Sequence, residues 1–205
     1  MTLDVDERVL IPRQETEVLV DEVLARLADA RGGTVVDVGT GSGAIALALA
    51  SEGAFDRVIG TDVSADALEV ARANAAHVAP ALRAAVEFRH GAFLAPVETL
   101  RGQLRAVVSN PPYIAYHEAA ALPPGVRDWE PALALFAGAD GMAAIAAIVR
   151  DAPDVLAPGG LLALEVDARR ASTAAELVSN DMRYADVAVR LDLSGRERFV
   201  LATRR

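Results

Sequence analysis

Val35-Val36-Asp37-Val38-Gly39-Thr40-Gly41-Ser42-Gly43 is a β-branched run that empties into a glycine-spaced turn. The run, taken as Thr34 to Val38, reads as a buried strand, and Ala44 to Ser51 beyond the turn reads as a helix. Strand, glycine turn and helix in that order open an α/β sheet that binds a nucleotide-like ligand at its carboxyl edge. Glycines allow the sharp turn and a close backbone approach, while a helix start presents N–H groups. Asp62 ends the next strand, Arg57 to Thr61, 19 residues beyond Gly43, where such folds place a carboxylate on ribose hydroxyls. The candidate cradle is therefore Asp37, Gly39, Thr40, Gly41, Ser42, Gly43 and Asp62. Asp37 either touches the ligand or braces the turn. Phe93 either packs on an adenine ring or belongs to the core.

Working outward, Leu19, Val20, Val23, Leu24 and Leu27 recur at helical spacing within Glu15 to Ala30, and Gly32-Gly33 stops that helix. Ser64 is a plausible N-cap for a helix reaching about Val78. Val86–His90, Leu104–Ser109 and Leu161–Val166 read as further strands, with helices at Asp140–Leu156 and Ser172–Asn180. Pro158-Gly159-Gly160 reads as a turn, and Ala185–Leu191 with Arg198–Ala202 as a closing pair. The alternation predicts a mostly parallel seven-stranded sheet with right-handed crossovers and an antiparallel edge strand. Residues 1–30 read as an N-terminal segment and helix packed on a core of residues 31–205. Pro111 to Gly138 reads as a long irregular excursion, a length that in compact domains usually carries function.

The 205 residues fit one domain, and their 53% hydrophobic content excludes disorder. The apolar runs are too short for a membrane span, and the first residues lack the pattern of a signal peptide. Zero cysteines exclude disulfides and thiolate chemistry, which fits the cytoplasm. His77, His90 and His117 have no metal-ligand spacing, so no metal is expected. A net charge of -9 weighs against a nucleic-acid partner, although Arg101, Arg105, Arg196, Arg198, Arg204 and Arg205 leave room for a local basic patch.

Ser109-Asn110-Pro111-Pro112-Tyr113 ends the apolar strand at the ligand-binding edge. Two prolines remove two N–H donors, so the turn presents acceptor oxygens. The Asn110 amide oxygen and the Pro111 carbonyl suit both hydrogens of a planar –NH₂ group, with Tyr113 packing on its plane. Asn110, Pro111, Pro112 and Tyr113 are thus the candidate catalytic residues, and Asn110 also borders the cradle. A delocalised nitrogen is a poor nucleophile, so orientation is the help it needs. The acid-led Gly-x-Gly-x-Gly spacing is similar to the first motif of class I methyltransferases, whose cofactor is S-adenosyl-L-methionine.

The chain as a whole resembles the bacterial glutamine-N5 methyltransferases that modify the Gly-Gly-Gln motif of peptide-chain release factors. The resemblance runs through Leu10-Ile11-Pro12-Arg13-Gln14-Glu15-Thr16-Glu17, Asp37 to Ala50, Thr61 to Ser64 and Val108 to Ile114. It continues through Glu130-Pro131, Ala139-Asp140-Gly141, Pro158 to Leu161 with Glu165, and Asp192 to Arg196. It implies a Rossmann-like class I methyltransferase fold, S-adenosyl-L-methionine as cofactor, a release factor as protein partner and a role in translation termination. It also implies that Arg13, Glu15 and Glu130 shape the pocket mouth, unless they are plain ion-pair partners. The Asn-Pro-Pro-Tyr motif alone is shared with DNA adenine-N6 methyltransferases, which keeps a nucleic-acid acceptor as an alternative. A cofactor-binding domain without turnover is the other. Gln14 stands where the family usually has proline, and Ala92 where an aspartate is common. The family's N-terminal helical docking domain is not expected in this chain.

Overall fold

The computed structural model describes residues 1–205 apart from 30, 122–124, 126–128 and 139. The expected helix end at Ala30, part of the expected excursion and Ala139 of the family motif lie outside the described residues.

Seven strands form one sheet: β1 (Thr34–Val38), β2 (Arg57–Asp62), β3 (Ala85–His90), β4 (Leu104–Ser109), β5 (Leu156–Glu165), β6 (Tyr184–Leu191) and β7 (Glu197–Arg204). Their order is β3-β2-β1-β4-β5-β7-β6. Strands β1 to β5 pair in parallel, and β7 runs antiparallel to both β5 and β6. The antiparallel strand thus belongs to the closing pair, with β6 outermost.

Five helices cover the sheet: α1 (Gln14–Arg26), α2 (Ala44–Glu52), α3 (Ala65–Val78), α4 (Ala143–Val155) and α5 (Ala171–Asn180). Side chains alternate across a strand, so neighbours in β1 serve opposite faces. Val35 packs with Leu19 and Val23 of α1 and Leu49 of α2, whereas Val36 and Val38 pack with Ile145 and Ile148 of α4. Burial on both faces explains why the central strands carry unbroken apolar runs instead of alternating ones. The N-cap of α3 is Ser64, whose hydroxyl accepts from the Ala67 N–H at 3.1 Å.

One strand differs from the sequence reading, and one expected helix holds a proline. Pro158-Gly159-Gly160 does not break away as a turn but forms an irregularity inside β5. Leu156 pairs with Leu104 and Leu161 with Ala106, and Gly159 supplies the left-handed residue at φ 78°. Helix α4 carries Pro153 inside it, which ordinarily leaves the carbonyl four residues earlier unpaired. Here the buried Tyr184 hydroxyl donates to the Val149 carbonyl at 2.8 Å and fills that vacancy.

The excursion after β4 is folded, not irregular throughout. Ile114 bridges Phe136, the Ile114 N–H donates to the Leu135 carbonyl, and the rings of Tyr116 and Phe136 stack at 5.6 Å. No helix among the described residues is long and apolar enough to cross a membrane.

Candidate active site

Strand β1 pairs with β2 on one side and with β4 on the other, so the chain order reverses between β1 and β4. Open α/β sheets bind ligands at the carboxyl side of such a point. A cavity of about 390 Å³ lies there, lined by Gly39, Gly41, Asp62, Phe93, Asn110 and Pro111 among others. A second, wider groove of about 830 Å³ is lined by Arg13, Tyr113, Glu130, Asp167, Arg169 and Arg198 among others. Leu10, Asn110, Pro111 and Ala134 line both, so the Asn110–Pro111 turn is part of the wall between them.

The glycine turn works by shape. Gly39 and Gly41 have φ of 72° and 53°, and a Cβ built on either meets nothing within 4 Å. The N–H groups of Gly39 and Thr40 both donate to the Thr61 carbonyl, Gly41 N–H to Asp62 Oδ2, and Gly43 N–H to the Thr40 carbonyl. These four N–H groups of the turn are engaged within the protein; at the helix start, where the sequence reading looked for free N–H groups, Ala46 N–H is held by Asp37. A turn of this kind admits a ligand against bare Cα atoms. Gly43 serves packing instead: its Cβ would sit 3.2 Å from Leu47 Cδ1 and 3.4 Å from Ala71 Cβ.

Asp37, Thr40, Ser42 and Gly43 do not line the cavity. Asp37 is 0% exposed; its Oδ2 accepts from the Thr40 hydroxyl at 2.6 Å and the Ala46 N–H at 3.1 Å. Its Oδ1 is buried with no partner among the described residues. Burial drives its pKa up to about 7, against the pull of those two donors. Of the two readings of Asp37, the geometry matches the brace. Ser42 is buried, and its carbonyl accepts from Asn74 Nδ2 at 2.9 Å.

Asp62 does face the cavity. Its Oδ1 accepts from the Ser64 N–H and its Oδ2 from the Gly41 N–H, both at 2.9 Å, which aims the carboxylate at a fixed spot. Phe93 is not a core residue: it is 37% exposed on the cavity rim and holds φ 48°. A non-glycine residue in the left-handed region is strained, and such strain gathers at functional sites. The Thr61 hydroxyl locks it there by donating to the Phe93 carbonyl at 2.8 Å.

At the dividing wall, Asn110 Nδ2 donates to Thr16 Oγ1 at 3.3 Å, and Thr16 Oγ1 donates to Glu165 Oε2 at 2.8 Å. Pro112 faces the smaller cavity and Tyr113 the groove. Burial pushes the Tyr113 hydroxyl up to about 12, so it stays protonated. Arg13 pairs with Glu130 through a short hydrogen bond, and both line the groove. Glu130 is buried, and its Oε2 has no partner among the described residues. Glu15 sits in the first turn of α1 and lines neither cavity. The Asp192–Arg196 segment is the β6–β7 turn. Asp192 Oδ1 accepts from Ser194 and Arg196, which delivers Arg196 and Arg198 to the groove. Those same bonds hold the Asp192 carboxyl near 2, well below the usual range.

The sequence reading gave no individual role to Thr16, Asn74, Arg8, Val9 or Leu10. The last three line the cofactor-side cavity as part of an N-terminal strap. Glu165 carried one legible signal, a carboxylate ending an otherwise apolar strand. No group of metal-ligating side chains occurs among the described residues.

Residues 14–122 match the family model "Methyltransferase small domain". The chain is 45% identical to release factor glutamine methyltransferase of Moorella thermoacetica, with 100% of this chain and 71% of that protein aligned. The chain belongs to this family. The protein of the same name from Mycolicibacterium smegmatis is 44% identical, over 100% of this chain and 70% of its own length. Among solved structures, the catalytic domain of hMettl16 superposes with a TM-score of 0.72, covering 99% of this chain and 74% of that one. At 15% identity that likeness speaks for the methyltransferase fold alone. The α/β methyltransferase architecture expected from the glycine turn is therefore present throughout.

Proposed function

We infer that this methyltransferase transfers a methyl group from S-adenosyl-L-methionine to the side-chain amide nitrogen (N5) of a glutamine in a peptide-chain release factor. One observation carries the reading: a turn of acceptor oxygens, Asn110–Pro111, stands in the wall shared by a cofactor-sized cavity and a wider groove. The cavity fits the cofactor by chemistry. Bare glycine Cα atoms suit its methionine end, the fixed Asp62 carboxylate suits ribose hydroxyls, and Phe93 suits an adenine face. Bound there, S-adenosyl-L-methionine supplies an electrophilic methyl group.

The residues of this chain do the rest. Asn110 Oδ1 and the Pro111 carbonyl accept the two amide hydrogens and aim the nitrogen lone pair through the wall. Charge that develops on those hydrogens is met by preorganised acceptors, so no general base is required. Pro112 stiffens the turn, and Tyr113 packs on the amide plane. Asp37, Thr40, Ser42 and Gly43 shape the cradle from behind. In the groove, Arg13 and Glu130 hold the mouth, and Glu130 Oε2, which has no partner among the described residues, is an acceptor for a backbone N–H beside the glutamine. Residues 31–205 form the methyltransferase domain and 1–30 its N-terminal strap and helix. A translation factor as acceptor supports the reading of a cytoplasmic enzyme.

Labelled S-adenosyl-L-methionine, the protein and a release factor test the reading. Label on the glutamine of the Gly-Gly-Gln motif is expected. Label on adenine in nucleic acid, with none on the release factor, would overturn it.

A further inference from the structure

An asparagine amide presents an acceptor at one end and a donor at the other, and only the acceptor end suits an incoming –NH₂ group. Something must therefore decide which end of Asn110 faces the substrate. Thr16 lies in the first turn of α1 and is 7% exposed; Glu165, at the end of β5, is 2% exposed. A threonine hydroxyl has one hydrogen. Here it goes to Glu165 Oε2 at 2.8 Å, so the oxygen meets Asn110 only with its lone pairs. The group 3.3 Å away must then be Nδ2, and Oδ1 turns away from Thr16.

We propose that Thr16 and Glu165 are positioning residues that orient the Asn110 amide, so that its oxygen rather than its nitrogen meets the substrate. The assignment rests on the reading of Asn110 as an acceptor for the glutamine amide. An ionised Glu165 can only accept, which gives the chain of hydrogen bonds a single direction. A protonated Glu165 can donate back to Thr16, and the direction is lost. Arg198 of β7, Arg13 and Glu15 at the start of α1, and Tyr113 face the carboxylate, and burial holds its pKa up to about 7.

The test is a double-mutant cycle in single-turnover methyl transfer. Thr16→Val keeps the shape and removes the hydroxyl; it should slow the transfer step about 10- to 100-fold, as misorientation at a reacting centre does. Cofactor affinity should stay within about threefold, and Thr16→Ser should recover most of the rate, because only the hydroxyl is required. In an Asn110→Ala background, Thr16→Val should add almost nothing, since Thr16 then has no amide left to orient. Fully additive losses would overturn the assignment and leave Thr16 as packing alone. If the valine variant does not fold, Glu165→Gln enters the same cycle with the same two outcomes. It should also erase the fall in transfer rate expected of the wild type as pH drops through about 7. A wild-type enzyme that methylates no release-factor glutamine would defeat the functional reading; additivity in an active wild type would defeat only this assignment.

Discussion

At the scale of single residues, the site depends on atoms whose partners are already taken. Asn110→Ala removes one acceptor from the wall between the cavities and leaves the glycine turn untouched. Turnover should fall about 100-fold or more, with cofactor affinity within a few-fold, by comparison of single-turnover rates with calorimetric binding. Asp37 yields a stability prediction instead. Its carboxyl, ordinarily near 3.8, is held up to about 7 by burial, so the folded protein keeps a proton that the unfolded chain has released. The resulting stabilisation is full below about 4 and is lost as pH rises through about 7. Asp37→Asn has no proton to lose. Its melting temperature relative to wild type should therefore climb between pH 4.5 and pH 8, and a constant difference across that range would disprove the titration. The choice between brace and ligand contact for Asp37 was not legible in the sequence, because alternation along β1 says only which face the carboxylate takes. What it meets there, Thr40 and Ala46, depends on how α2 docks.

At the scale of elements, the glycine turn and the N-terminal strap act together. Asn74 of α3 joins them: its Oδ1 accepts from the Asp4 N–H, and its Nδ2 donates to the Asp4 and Ser42 carbonyls, at 2.8–2.9 Å. Asn74→Ala leaves those backbone groups without their partner and should cost about 1–3 kcal/mol in chemical denaturation. Because Arg8, Val9 and Leu10 line the cavity from the strap, cofactor affinity should weaken as well. Unchanged affinity in a destabilised variant would show that the strap is not part of the binding wall. Most elements here were legible: β2, β4 and β5 are largely apolar runs closed by Asp62, Ser109 and Glu165, and that pattern survives folding. The Pro158–Gly160 irregularity was not, since proline and glycine mark a turn and a bulge alike. Its pairing with Leu104 and Ala106 is a long-range fact. Asn74 was equally silent, being a polar residue in a helix whose partners lie 32 and 70 residues away.

At the scale of the whole molecule, charge is unevenly placed. The chain carries -9 overall, yet Arg13, Arg169, Arg196 and Arg198 gather around one groove, where Glu130 pairs with Arg13, and Glu118 and Asp167 pair with Arg169. Composition argued against a polyanion and could not reveal this cluster, which the β6–β7 turn assembles from the end of the chain. Arg196→Glu should lower kcat/KM for the release factor about tenfold at low ionic strength, with the gap closing as salt rises. Cofactor affinity should not move, because Arg196 does not line the smaller cavity. The family motif at Asp192–Arg196 identified the segment; only the fold brought it beside Asn110. The shared wall has one more consequence. With the cofactor in the cavity and the glutamine in the groove, as proposed, one turn serves as wall to both. Its two prolines keep that wall from flexing, so the gap the methyl group crosses is set by the backbone.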